Sequence, residues 1–247
     1  MHTAVAGTGP DVVLLHGWGM RASVWVELAA LLTANFRVHN VELSAASRPF
    51  ALDAMVDAIA AASARRVSVC GWSMGGQLAL HWAATHAGQV ARLVLIATTP
   101  CFVRGPDWEH GMEGAVFDGF AHDLAQDADG TLQRFALLQA RGDTSARKVA
   151  RHLQACTAGT GTSEQAALVG GLELLRTTDL RSMLPAIAQP ALIVHGEHDA
   201  VVPLRAGEYL QRNLPHAELA VIEGAAHAPF IAQARAVAQR IAEFCHG

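Results

Sequence analysis

Short apolar runs rich in β-branched residues alternate along the chain with stretches of helical periodicity. The runs Val12–His16, Arg37–Leu43, Arg66–Cys70, Leu93–Ala97, Ala191–His195 and Glu218–Ile222 predict strands. Short runs of this kind, bounded by helical patterns, are candidate buried strands. Between them, Val24–Leu32, Ala51–Ala64, Gly75–His86, Leu204–Leu214 and Ala232–Phe244 predict helices. Strands that alternate with helices imply an α/β fold, a mainly parallel sheet with helices on both faces.

The alternation breaks once. From about Cys101 to Pro185 the periodicity is helical and no convincing strand occurs; Phe117, Phe120 and Leu124 fall on one helical face. The strand pattern then resumes. The expectation is a sheet domain formed by residues 1–100 and 186–247, with a helical insertion over 101–185.

Composition narrows this picture. Of 247 residues 51% are hydrophobic, which is ample for one large core, and the net charge of −4 argues against nucleic acid as a partner. The start of the chain lacks a basic segment followed by an apolar one, and no apolar run approaches the ~20 residues of a membrane span. A cytoplasmic protein without a membrane partner is therefore expected. Cys70, Cys101, Cys156 and Cys245 are scattered without metal-ligand spacing. They are expected to be reduced thiols that pack as small hydrophobes, with no metal and no cofactor.

The candidate chemistry begins at residues 67 to 80, VSVCGWSMGGQLAL. Gly71-Trp72-Ser73-Met74-Gly75 has the G-x-S-x-G form of a nucleophile elbow, with a predicted strand before it and a helix after it. A sharp strand-to-helix turn strains its central residue, and flanking glycines remove the Cβ atoms that would clash there. A serine nucleophile needs a base. Among thirteen histidines, His227 follows the last predicted strand in a small-residue loop, where side chains project over the carboxyl edge of the sheet. The base needs an orienting acid, and Asp199 follows the strand 191–195; Glu197 competes but lies nearer the strand end. The chain order Ser73, Asp199, His227 is that of the α/β-hydrolases. An oxyanion hole is expected from the backbone N–H groups of Met74, next to the serine, and Trp18, in the loop His16-Gly17-Trp18-Gly19-Met20. His16 is read as a residue that shapes this loop.

The insertion carries a second signal. Residues 130–155 hold Arg134, Arg141, Arg147, Lys148 and Arg151 against a single acid, Asp143. This stretch is either a solvated helix face or a docking patch for an acidic partner. Its apolar residues Phe135, Leu137 and Leu138 either line a channel for an acyl chain or form ordinary lid core.

The likeness extends beyond the triad motifs. Through LLHGWGM, GWSMGGQLAL, ATTPCF, RFALLQ, GGLELLRTTDLR and AAHAPFI, nearly the whole chain resembles the pimeloyl-acyl-carrier-protein methyl ester esterases of biotin synthesis, the BioH type. Thr99-Pro100-Cys101-Phe102 and Gly170-Gly171-Leu172-Glu173-Leu174-Leu175 are the more specific markers. The resemblance implies an α/β-hydrolase fold with a helical lid, and a serine carboxylesterase that hydrolyses the methyl ester of pimeloyl-acyl carrier protein. It implies Ser73, Asp199 and His227 as the triad, and substrate contacts from Trp18, Met74, Phe135, Ala136, Leu137, Leu138 and Gln139. It implies docking of the acidic acyl carrier protein by Arg134, Arg147 and Arg151 on a monomeric enzyme. Two departures stand against it. Residues 41–48, VELSAASR, replace the glycine-containing turn of the relatives, and Gly130 offers no charge at the start of the basic stretch. A broad short-chain carboxylesterase, and a ligand-binding α/β-hydrolase with incidental turnover, remain open alternatives.

Overall fold

The computed structural model describes residues 2–43, 50–63, 65–159 and 161–246. Each predicted apolar run forms a strand: β2 (Asp11–Leu15), β3 (Arg37–Glu42), β4 (Val67–Trp72), β5 (Val90–Ile96), β6 (Ala191–Gly196) and β7 (Ala217–Ile222). A further strand, β1 (His2–Ala6), completes a sheet of order β1-β3-β2-β4-β5-β6-β7. β1 runs antiparallel to β3 and the remaining neighbours are parallel. The sequence did not predict β1 because it lies at the sheet edge with mostly exposed side chains. Backbone pairing to β3 holds it, and pairing leaves no apolar signature.

Period-two geometry divides the core into two layers. Val13, Leu15, Val69, Leu93, Leu95 and Ile193 point to one face, whereas Val12, Leu14, Cys70, Val94, Leu192 and Val194 point to the other. The first layer packs on α2 (Leu52–Ala62), α3 (Met74–Thr85) and α8 (Leu204–Asn213). The second packs on α1 (Val26–Leu32), which a 3₁₀ turn at Ala22–Trp25 introduces, and on α9 (Pro229–Ala232) and α10 (Ala234–His246). The helix expected over 232–244 is α10, and the short α9 precedes it, set off by Gln233, which departs from helical geometry. The predicted end of α2 at Ala64 lies outside the described residues, as do residues 44–48 of the departing loop.

Among the described residues between β5 and β6 the chain forms four α-helices, α4 (Gly114–Gln126), α5 (Ala128–Gln139), α6 (Ala146–Ala155) and α7 (Thr162–Thr177), followed by a 3₁₀ helix at Arg181–Ala186. On α4, Phe117 and Leu124 are buried and Phe120 is half-buried, as the predicted face requires. These helices lie over the carboxyl ends of the strands. Trp18 Nε1 donates to Leu168 O of α7 at 2.9 Å, and Ala158 N donates to Gly19 O at 2.8 Å. The cysteines are free thiols, and burial pushes Cys70 well above the ordinary thiol range. Among the described residues, no helix is long and apolar enough to cross a membrane.

Candidate active site

The site begins with backbone strain. Ser73, between β4 and α3, has φ 54° and ψ −118°, a conformation that L-residues seldom adopt. The surroundings explain why it persists. A Cβ added at Gly71 would lie 2.2 Å from Gly75 O, and one added at Gly75 would lie 2.2 Å from Leu15 O. Only glycine lets α3 close onto β4 and β2 at this turn. Ser73 N donates to Ile96 O at 3.0 Å, and Thr98 Oγ1 donates to Ser73 O at 2.6 Å, so both backbone polar groups of the strained residue are fixed.

His227 and Asp199, 28 residues apart in the chain, meet beyond the carboxyl ends of β7 and β6. His227 Nδ1 is 2.8 Å from Asp199 Oδ2, and both residues are buried. The other carboxylate oxygen accepts the N–H groups of Val201 and Val202, each at 2.9 Å. Asp199 is therefore held rigidly, with one oxygen left for the imidazole. That arrangement fixes the proton on Nδ1 and leaves Nε2 as the basic nitrogen. Trp72, next to Ser73, links the elbow to this pair: its ring lies 5.5 Å from the imidazole and its Nε1 donates to His227 O at 2.8 Å. Glu197, the competing acid, is half-exposed and accepts Gly224 N at 3.0 Å instead.

The loop after β2 approaches the elbow directly. A Cβ added at Gly17 would sit 3.4 Å from Ser73 Cβ and 3.1 Å from the Trp72 ring. The following Trp18 N–H and the Met74 N–H at the start of α3 have no backbone partner among the described residues. His16 shapes this loop, as its position suggested. Its Nδ1 lies 2.9 Å from Gly17 O, and its Nε2 lies 2.9 Å from Leu43 N and 3.1 Å from Glu42 Oε1, which ties the loop to the end of β3.

The segment Phe135–Gln139 does not act as a unit, because helical geometry turns its side chains in different directions. Phe135 and Leu138 line a small apolar cavity with Trp18, Phe120 and Leu172. Ala136 packs into the opposite core layer, and Leu137 is exposed on the outer face. Gln139 is buried, and its carbonyl accepts His227 N at 3.2 Å. Trp18, with an edge-on Phe135 ring at 5.4 Å, forms one wall of the cavity. Gly171 of the marker stretch permits this, since a Cβ there would lie 2.6 Å from the Trp18 ring.

The basic residues of the lid also separate. Arg147 and Arg151 line an open groove between α5 and α6 together with Leu137, Leu138 and Arg141. Among the described residues, none of these three arginines has a carboxylate within 4.0 Å. Arg134 does not line this groove; it faces Asp127 at 3.5 Å and donates to Thr131 Oγ1. Arg141 belongs to the groove although the sequence reading did not single it out for docking. The signal was its place in the basic stretch four residues beyond Leu137, in the turn that follows α5.

A buried histidine beneath the site was not anticipated either. His195, at the end of β6, is fully buried, with Nε2 2.9 Å from Val202 O and 3.5 Å from Asp199 Oδ2. Burial holds its pKa below the ordinary 6.5, against the opposing pull of Asp199. Below pH 6.5 the unfolded chain therefore binds a proton that the folded ring refuses, and stability is lost as pH falls. Urea midpoints at pH 7.5 and 5.5 check this: wild type is expected to lose more stability than His195→Gln. Equal losses would show that the ring is not held neutral.

Comparison with known proteins places this geometry. The model of the alpha/beta hydrolase fold matches residues 10–234. The pimeloyl-[acyl-carrier protein] methyl ester esterase of Nitrosomonas europaea is 41% identical over 236 residues, covering 94% of each chain. The protein of the same name from Xanthomonas campestris pv. campestris is 42% identical over 250 residues, covering 99% of this chain and 98% of its own. An esterase from Exiguobacterium antarcticum superposes with a TM-score of 0.88 at 22% identity over 100% of this chain and 95% of its own. A bromoperoxidase from Bacillus anthracis reaches 0.86 at 20% identity over 99% and 95%, so the architecture alone selects no chemistry. The fold, the match along residues 10–234 and the near full-length identity together establish that the chain belongs to the α/β-hydrolases and, among them, to the pimeloyl-[acyl-carrier protein] methyl ester esterase family.

Proposed function

We propose that this protein is a serine esterase that hydrolyses the methyl ester of pimeloyl-acyl carrier protein, releasing methanol and the free carboxylate. The observation that carries the chemistry is the buried Asp199–His227 pair, 2.8 Å apart, joined through Trp72 to the strained Ser73 elbow. His227 Nε2 takes the Ser73 proton as the hydroxyl attacks the ester carbonyl, while Asp199 holds the ring and stabilises the imidazolium. The N–H groups of Trp18 and Met74 hold the oxyanion. His227 then protonates the departing methoxide to give methanol, and in a second half-reaction activates the water that releases the acid. The wall of Trp18, Phe120, Phe135 and Leu172 suits the methylene chain. It holds a new carboxylate poorly, which favours product release over a second attack at the thioester.

The substrate reading rests on the relatives' name and on the basic groove of α5 and α6, whose arginines suit an acidic carrier protein. The enzyme then acts as a monomer in the cytoplasm and requires no cofactor. Methanol release from pimeloyl-acyl carrier protein methyl ester, compared with a free pimelate diester, tests it. Strong preference for the carrier-linked ester is expected. The double variant Arg147→Glu/Arg151→Glu is expected to raise KM for that ester about tenfold or more, in a salt-dependent way, and to leave the diester unchanged. Equal turnover of both esters by wild type would reduce the function to that of a general carboxylesterase.

A further inference from the structure

The loop that carries His227 is held from two sides, and the lid supplies three of its bonds. Thr144 N donates to Gly224 O at 2.8 Å, Ala226 N donates to Asp143 Oδ2 at 2.8 Å, and His227 N donates to Gln139 O at 3.2 Å. On the core side, His198 N donates to Ala225 O at 2.9 Å and Trp72 Nε1 donates to His227 O at 2.8 Å. Only one of the lid bonds uses an ionisable side chain. Asp143 lies in the turn between α5 and α6 and is buried. Its second oxygen accepts Ser145 N at 2.7 Å, which fixes the start of α6.

This carboxylate has an unusual set of partners. Among the described residues it has no cationic group within 4.0 Å, and its two oxygens are engaged by backbone N–H groups alone. Charged acceptors make shorter and roughly twice stronger bonds than neutral ones. Asp143 therefore ties the backbone one residue before the imidazole to the lid turn more firmly than a neutral side chain would. The fit is close on both sides. A Cβ added at Gly224 would lie 2.8 Å from Thr144 Cγ2, and one at Gly142 would lie 3.1 Å from His198 Cβ. The same turn carries Arg141 and joins α5 to α6, the helix that presents Arg147 and Arg151 to the groove. The groove and the histidine loop thus share one rigid connection.

We propose that Asp143 is a positioning residue for His227, acting from the lid through Ala226 to set the imidazole against Ser73. The inference rests on His227 being the general base. A misplacement of about 1 Å at a reacting group can lower a rate by about 10²-fold. Asp143→Ala is accordingly expected to lower kcat on a free pimelate diester by up to about 10²-fold. Asp143→Asn keeps one acceptor oxygen and is expected to fall between Ala and wild type. KM for this small ester is expected to stay within about twofold, because Asp143 does not line the apolar cavity. The downfield proton signal of His227 Nδ1–H, bonded to Asp199, is expected to broaden in both variants as the loop loosens. Thr144→Ala, which retains the Thr144 backbone bond, serves as the control and is expected to keep both kcat and the proton signal.

His227→Ala run in parallel separates the two readings. If it retains full activity, the assignment of the base fails and this inference with it. If it is inactive while Asp143→Asn keeps the wild-type kcat and an unbroadened proton signal, Asp143 serves stability alone and the positioning role is overturned. Should Asp143→Ala fail to fold, the Asn variant decides the matter.

Discussion

Replacing Ser73 with alanine is expected to lower kcat for pimeloyl-acyl carrier protein methyl ester by about 10⁶-fold, with little change in thermal stability. The loss follows from the chemistry, since without the hydroxyl there is no acyl-enzyme and the imidazole has no proton to take. The stability expectation follows from the geometry. Ser73 has φ 54°, and both its backbone groups are bonded, to Ile96 O and from Thr98 Oγ1. The strain belongs to the backbone, and alanine inherits it unchanged. The oxyanion donors and the cavity remain, so the variant is also expected to bind the intact ester. Methanol release, thermal unfolding and substrate binding, measured together, check this. Activity within about a hundredfold of wild type would show that Ser73 is not the nucleophile.

Asp199→Asn is expected to lower kcat by about 10⁴-fold without unfolding the protein. The asparagine oxygen can still accept the N–H groups of Val201 and Val202, so its NH₂ faces His227 Nδ1. Two donors cannot face each other, and the imidazole must move its proton to Nε2. The nitrogen that should accept the serine proton then already carries one. His195 gives no rescue, because its Nε2–H is directed at Val202 O. Glu197→Gln is the comparison. Glu197 is half-exposed and binds Gly224 N, so its loss is expected to change kcat by less than about threefold. A reversed ranking of the two variants would move the orienting role to Glu197.

Some of this protein was legible because its signals are local. The central strands β2, β4, β5 and β6 are largely buried on both faces and announce themselves as apolar runs, whereas β1 depends on pairing and does not. The elbow was legible because its geometry demands particular residues at fixed spacing: a Cβ at Gly71 or Gly75 would collide with backbone. His227 and Asp199 were found from their place after a strand, where chain order implies position at the sheet edge. The resemblance marked all five residues of Phe135–Gln139 for the substrate, and the helix turns only Phe135 and Leu138 to the cavity.

The sequence by itself determined the parallel sheet, the helical insertion, the serine elbow and the order of the three residues around it. Each is written in neighbouring residues through periodicity, small side chains and strand ends. Only the tertiary structure decided which arginines share a groove, that His195 lies buried beneath Asp199, and that Asp143 reaches Ala226 across 83 residues of chain. Those relations join side chains and backbone groups remote in sequence. Burial and hydrogen-bond satisfaction are properties of the packed interior, and no local pattern carries them.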